Sequence, residues 1–354
     1  MKKISFYTLL LLCLVIFGMR YRYFIPAFLY EHFISYKVEL PQDKNFVVRA
    51  ESTNIPQYIK HIIKMAFPEY TIVYSNDIKP HLVVKNVYRA RNTSIISEIN
   101  NRVPYLSFSP EKGQTKLRRY RSTGYPLYEF VTFKTNKDGF AYIPFVAYAK
   151  ESPNFLNSDP RPQISLVDIK KRKDLVYVYS HCVPVRDNFF IAVSKYLKSA
   201  ESYGKCLNNQ SGNAPGSYND LKALYSDYKF VVAMEHQKKP GYITEKIINA
   251  YEANAIPIYW GDDKTVKEIF NDKSYIDLSS FQNYQEASEY LFKLSKNDLE
   301  IQKILAEPIL TKKGEVLLSV NKKELPSETS KFLSEIAKNI RIMYFHTLNE
   351  KKIF

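Results

Sequence analysis

Residues 229–261 constrain the fold most. "KFVVAMEH" is an apolar run, "QKKPGY" breaks it, "TEKIINAYEAN" has helical spacing, and "AIPIYWG" is a second apolar run. Strand, helix and strand in so short a stretch make a βαβ unit, since parallel strands need a crossover and the crossover here is a helix. In such a unit ligands bind outside the carboxyl ends of the strands, near the helix N-terminus. Pro240 and Gly241 break the chain, Thr244 is placed to N-cap the helix, and Glu245 and Lys246 fall in its first turn. Ile247, Ile248, Tyr251 and Ala255 form the apolar stripe that holds this turn against the sheet.

The alternation extends in both directions. "DLVYVYSH" reads as a strand, and "VRDNFFIAVSKYLKSA" and "YNDLKALYSDY" as helices. Upstream, "NFVVRA", "TIVYS" and "HLVVKNVY" read as strands, and "NIPQYIKHIIKMAF" as a helix with Ile55, Ile59, Ile62, Ile63 and Phe67 on one side. The class is therefore α/β with mostly parallel sheets. A chain of 354 residues exceeds one ordinary core and suits two domains. Residues 151–173, with three prolines and a charge run, mark the boundary between them. A helical period through Phe332, Ile336, Ile340 and Tyr344 ends the chain and is expected to pack back on one domain.

The formal charge of +15 favours anionic partners, but the basic residues are scattered and carry no nucleic-acid motif, so nucleic acid is not expected. Lys2 and Lys3 precede a mostly apolar run over residues 4–19, and Arg20 and Arg22 follow it. At about 1.5 Å per residue this run nearly spans a bilayer, and no small-residue cleavage site follows, so an uncleaved membrane anchor is expected. Charges on both flanks leave its orientation open. The three cysteines form neither a disulfide framework nor a zinc set, although an oxidising compartment would let Cys182 and Cys206 pair.

A helix N-terminus with a lysine suits phosphate, and a carboxylate there can accept hydrogen bonds from the vicinal hydroxyls of a ribose. Equally, a glutamate in a first turn favours any helix. In "VYVYSHCVPVRDNFF", Arg186 stands at a second helix start, where it either completes a pyrophosphate clamp with Lys246 or is an ordinary surface residue. The pair "GDD" at 261–263 suggests a metal or a helix cap; the chain has no D-x-D, and no bound metal is expected.

The run "YKFVVAMEHQKKPGYITEKIINAYEANAIPIYWG" resembles the donor-binding motif of the family 10 α-1,3-fucosyltransferases, F-x-x-x-F-E-N-S-x-x-x-x-Y-V-T-E-K followed by a helix and a V-P-(V/I)-Y-x-G strand. "SHCVPVRDNFF" is similar to that family's S-N-C-x-x-R-x-x-F segment and "YGKCLNN" to its Y-G-x-C loop. The resemblance covers residues 174–315 and implies a GT-B fold, two Rossmann-like domains facing across a cleft. Joined to the anchor, it divides the chain into an anchor and juxtamembrane segment (1–30), an acceptor-binding domain (31–165), a GDP-fucose-binding domain (166–320) and a C-terminal helical segment (321–354).

By position the resemblance puts Arg186 and Lys246 on the diphosphate, Tyr242 in the donor pocket, Glu245 on the ribose hydroxyls and Glu235 near fucose and nucleoside. His236 stands where the family has Asn, which leaves the nucleobase contact open. The family's general base lies in the N-terminal domain. Here a gap-free match places Ser109 at that position and a two-residue shift places Glu111 there; Glu111 is the candidate, with Glu129 the next carboxylate to test.

The expected activity is inverting transfer of L-fucose from GDP-β-L-fucose to a glycan such as N-acetyllactosamine, α-1,3 to GlcNAc or glucose. No tightly bound cofactor is implied, and a divalent cation only as a stimulant. The alternatives are a GT-B transferase using another GDP-sugar and an inactive membrane-tethered glycan- or nucleotide-binding module. The expected location is a single-pass membrane protein, type II in the Golgi if eukaryotic and in the inner membrane if bacterial.

Overall fold

The computed structural model describes residues 40–51, 54–86, 103–108, 126–135, 138–149, 163–211 and 218–349. The expected anchor within 1–30, Ser109 and Glu111 lie outside the described residues. Among the described residues no helix is long and apolar enough to cross a membrane. Two compact units form: one holds the described residues up to Val131, those at 138–141 and those from Leu333 onward, and the other holds Thr132–Thr135 and Tyr142–Phe332.

Strands β1 (Asn45–Glu51), β2 (Thr71–Tyr74), β3 (Leu82–Asn86), β4 (Tyr105–Phe108), β5 (Pro126–Val131) and β6 (Phe140–Tyr142) make a sheet of order β2-β1-β3-β4-β5-β6, which belongs to the first unit but for Tyr142 at its end. The pairings from β2 through to β5 are parallel. Helix α1 (Gln57–Ala66) buries Tyr58, Ile59, Ile62, Ile63 and Ala66, and Ile55 and Phe67, on the same expected stripe, are buried beside it.

Phe67 stacks on Phe46 of β1 with ring centroids 4.3 Å apart. The last helix, α11 (Ser327–Asn349), belongs to this unit from Leu333 onward. Its Tyr344 ring lies 5.0 Å from Phe67. Its Arg341 donates to the Ala66 carbonyl at 2.7 Å and pairs with Glu69 at 2.8 Å, satisfying a carbonyl that the end of α1 leaves without a helical partner.

The second unit holds β7 (Lys173–Tyr179), β8 (Ala200–Gly204), β9 (Tyr228–Met234), β10 (Ile256–Trp260) and β11 (Ile276–Asp277), in the order β11-β10-β9-β7-β8 with every pairing parallel. Its helices are α2 (Val146–Ala149), α3 (Leu166–Lys171), α4 (Pro184–Val193), α5 (Tyr218–Tyr225), α6 (Glu245–Glu252), α7 (Asp263–Ile269), α8 (Tyr284–Ser295), α9 (Asp298–Ala306) and α10 (Lys312–Leu318). Every residue of β9 is buried, as expected of a parallel strand covered on both faces.

The core joins Leu175, Tyr177, Phe189, Phe190, Phe230, Val232, Ile256 and Ile258. The helix expected over 185–200 is shorter: α4 ends at Val193, where Tyr196 and Leu197 both bond the Val193 carbonyl and the chain tightens into β8. The first-turn arrangement around α6 is as the sequence suggests, with Ile247, Ile248 and Tyr251 buried and Ala255 buried just beyond the helix.

Helices α7 and α10 approach so closely that a Cβ on Gly314 would lie 2.0 Å from the Ile269 carbonyl oxygen. Backbone cannot yield as a side chain does, so Gly314→Ala must push the helices apart. We expect a loss of about 1–3 kcal/mol in urea unfolding, as for other overpacked sites; no change would mean the helices are free to separate.

Candidate functional site

The strand order places β8 on one side of β7 and β9 to β11 on the other, so the direction of connection reverses between β7 and β9. Such a reversal opens a crevice at the carboxyl ends of the two strands. The pairing register of β7 with β9 reaches Val176 and Val231, although the strands run on to Tyr179 and Met234. Between their ends the Tyr179 hydroxyl accepts from the Met234 N–H at 2.9 Å and faces the Val232 carbonyl at 2.9 Å and the Met234 carbonyl at 3.1 Å. Burial pushes its pKa up to about 12, so it stays a neutral strut.

Arg186, in the first turn of α4, lies with its guanidinium 3.9 Å from the centre of the Tyr179 ring. It is only 3% exposed, donates from Nη2 to the His181 carbonyl at 2.8 Å, and its Nε has no partner among the described residues. It is therefore not an ordinary surface arginine: a desolvated guanidinium with unused donors is an anion-binding group in waiting.

Glu235 follows β9 directly and has no exposed surface. Its carboxylate accepts from the Thr244 N–H at 2.7 Å, from Thr244 Oγ1 at 2.9 Å and from Lys246 Nζ at 3.2 Å. Lys246 also donates to Thr244 Oγ1 at 2.8 Å and lies 3.6 Å from Glu245. Thr244 does precede α6, but its side chain makes no cap bond. Thr244 thus stands at the expected N-cap position without the expected side-chain bond: its hydroxyl donates to the buried Glu235 carboxylate, and its oxygen accepts from the Lys246 ammonium instead of from the first N–H groups of α6.

Burial works against the Lys246 ammonium, yet the carboxylates of Glu235 and Glu245 outweigh it and hold its pKa above the ordinary lysine range. Burial pushes the Glu235 pKa up, opposed by the Lys246 charge and the Thr244 N–H. The charges of Lys246 and Arg186 both oppose the burial that raises the Tyr179 pKa.

The loop leading into α6 is tied down separately. Gly241 has φ +81°, and a Cβ there would meet the Lys134 backbone nitrogen at 2.7 Å. Its N–H donates to Asp262 at 2.5 Å and its carbonyl accepts from the Tyr142 hydroxyl at 2.8 Å. Asp262 also caps α7, accepting from the Lys264 N–H at 3.3 Å, so the "GDD" pair serves the loop and a helix start. No cluster of potential metal ligands occurs among the described residues.

Tyr242 follows Gly241, is 8% exposed, and meets the exposed His236 ring edge-on at 5.3 Å. Six expected donor-site residues, Arg186, Glu235, His236, Tyr242, Glu245 and Lys246, thus stand on the loops and helix starts that follow β7 and β9. Glu129 is half-buried on β5 of the other unit, opposite Ser107 in register. Sequence reasoning missed Tyr179, Tyr142 and the bond from the Gly241 N–H to Asp262, although the helix cap at Asp262 was one of its two readings of the pair. The available signal was Tyr179 itself, a tyrosine ending a core strand, whose hydroxyl has to find a partner.

Residues 169–305 match the C-terminal model of glycosyltransferase family 10 (fucosyltransferase). They are a family 10 glycosyltransferase domain. A protein of Acanthamoeba polyphaga mimivirus named as a fucosyltransferase is 30% identical over 297 residues, 76% of this chain and 45% of that protein. GDP-fucose protein O-fucosyltransferase 3 of Xenopus tropicalis is 34% identical over 137 residues, 36% of this chain and 29% of its own length. The chain therefore spans less than half of the curated relatives it matches. A crystal structure of an α1,3-fucosyltransferase aligns with TM-score 0.57 at 20% identity over 86% of this chain and 92% of that one. The crystal structure of an α1,3-fucosyltransferase with GDP-fucose aligns with TM-score 0.53 at 20% identity, over 89% of this chain and 95% of that one. These alignments show the α/β fold that the family 10 domain shares.

The Lys246–Glu235 pair yields a signed pH prediction. Without Lys246, burial raises the folded-state pKa of Glu235 further above its unfolded value. The stability associated with its proton is then present below the unfolded value and lost as pH rises through the folded one. Lys246→Met should cost about 3 kcal/mol at neutral pH, and the deficit should shrink as the pH falls toward about 4. A deficit that is flat in urea unfolding across that range would show that the pair does not govern Glu235.

Proposed function

We propose that the chain transfers L-fucose from GDP-β-L-fucose to an acceptor hydroxyl with inversion, making an α-1,3 link to GlcNAc or glucose of a glycan. The observation that supports this best is the pair of cations, the buried Arg186 and the half-buried Lys246, at the carboxyl ends of β7 and β9 within a family 10 domain.

In this reading Arg186 and Lys246 neutralise the diphosphate, whose charge grows as the sugar leaves, and the first N–H groups of α6 add to their field. Glu245 accepts from the ribose hydroxyls and Tyr242 lines the donor pocket beside His236. Glu235, being fully buried, works through Lys246 and Thr244 rather than by touching a ligand. We assign the general base to Glu111, with Glu129 the second carboxylate to test. A divalent cation is proposed only as a stimulant, since two cationic side chains already face the leaving group.

His236 in place of the family's Asn favours a second reading, in which the donor is another GDP-sugar. The relatedness to protein O-fucosyltransferase 3 extends the acceptor question to peptides. The apolar run at residues 4–19 supports tethering to a membrane, in the Golgi or the bacterial inner membrane according to the host.

The test is GDP release by the chain with GDP-fucose or GDP-mannose, with N-acetyllactosamine or a serine/threonine peptide, with and without EDTA. The expected result is acceptor-dependent release from GDP-fucose that survives EDTA. Arg186→Ala and Lys246→Ala should each weaken GDP binding about 10- to 100-fold, the loss of one charge-assisted hydrogen bond. Glu111→Gln should lower turnover about 10²- to 10⁴-fold while GDP still binds. Release from GDP-mannose alone would favour the second reading, and GDP binding with no turnover of either donor would favour the inactive binding module.

A further inference from the structure

The Cys182–Cys206 pair, left open by the sequence, is a disulfide with Cα atoms 5.2 Å apart, and it joins two loops of very different burial. On one side Cys206 is 1% exposed within the core. Its carbonyl accepts from Ser202 Oγ at 2.7 Å, and the same loop is laced by Asn209, which accepts from the Ser202 N–H at 2.7 Å and donates to the Ala200 carbonyl at 3.1 Å. The Lys205 N–H donates to the Tyr179 carbonyl at 3.0 Å, fixing the loop to the end of β7. On the other side Ser180, His181 and Cys182 are all exposed, and the bond between the Ser180 and His181 side chains at 3.0 Å stays within that loop.

The exposed loop carries the His181 carbonyl, which accepts from Arg186 Nη2 at 2.8 Å. The Tyr179 ring, 3.9 Å from the guanidinium carbon, gives Arg186 a face to rest on but no directional hydrogen bond. The His181 carbonyl supplies the missing constraint, and the residue next to it is covalently tied to the buried Cys206 loop. We propose that the Cys182–Cys206 disulfide is a positioning element for Arg186, holding the guanidinium in the rotation that presents its free N–H groups to the diphosphate. The inference rests on the donor-site reading above and deepens it: donor affinity depends on the redox state of a bond that does not itself touch the donor.

The experiment is GDP titration calorimetry on the full chain, oxidised and after dithiothreitol, with circular dichroism to follow folding. Dithiothreitol gives up two electrons and two protons as it closes to its cyclic disulfide, and Cys182 and Cys206 become thiols. The expected result is a three- to tenfold weaker GDP affinity on reduction, on the scale of one poorly oriented hydrogen bond, and no such change in Arg186→Ala. Cys182→Ser, which leaves the buried Cys206 in place, gives the same comparison if reduction unfolds the chain.

Equal GDP affinity before and after reduction would overturn the inference and leave the donor site standing. So would a change of the same size in the Arg186→Ala background, since the disulfide would then act on the fold at large. Failure of the oxidised chain to bind GDP at all would overturn the donor-site reading, and this inference with it.

Discussion

The parting of β7 from β9, and the Tyr179 hydroxyl that spans it, is the constraint on which the candidate site depends. Two parallel strands that lead to opposite sides of a sheet leave their last backbone groups without a ladder, and buried N–H and C=O groups need partners. Tyr179 supplies them while keeping the crevice open, which a continued ladder would close. Its ring then becomes the platform for Arg186, and its hydroxyl end lies in the field of Lys246. Sheet topology, rather than any loop signature, is what brings cations from two separate helix starts to the carboxyl ends of neighbouring strands.

A fully buried carboxylate is costly, and Glu235 is tolerated because every part of it is used. Thr244 supplies a backbone and a hydroxyl donor, and Lys246 a charge. Replacing such a group by an apolar one is often neutral for stability, so its value lies in specifying one geometry for the α6 first turn. The turn is fixed on its approach as well, where Asp262 and Tyr142 hold Gly241 in a conformation that other residues rarely adopt. Rigid support of this kind lets a helix start receive an anion without paying to order its own loop.

Much of this was legible in the sequence because parallel strands are long apolar runs and α6 declares itself by an apolar stripe after a Pro-Gly break. Residue types at the crevice were legible for the same reason, through the Y-x-T-E-K spacing. What stayed hidden depends on neighbours distant in sequence. Thr244 is the N-cap residue the sequence suggests, but that its side chain serves Glu235 and Lys246 rather than the helix N–H groups follows only from where Glu235 lies. Cys182 and Cys206 are separated by 24 residues, and their pairing follows from β7 and β8 being adjacent and parallel, a fact of topology. Tyr179 reads as one more aromatic in a core strand until β7 and β9 are seen to part.

The central claim is that the nucleotide diphosphate binds at the carboxyl ends of β7 and β9. A competing basic cavity of about 500 Å³ lies at the amino ends of the same strands, lined by Lys170, Arg172, Lys198, Lys229 and Lys296 together with Asp174 and Asp298. There Lys229 is already committed to Asp298 at 2.9 Å and to the Ser295 carbonyl at 2.8 Å, so its charge is less available than that of Arg186. A crystal structure of the chain with GDP separates the two sites directly. The account predicts diphosphate oxygens within hydrogen-bond distance of Arg186 and Lys246, and GDP seated instead among Lys170, Arg172 and Lys198 would contradict it.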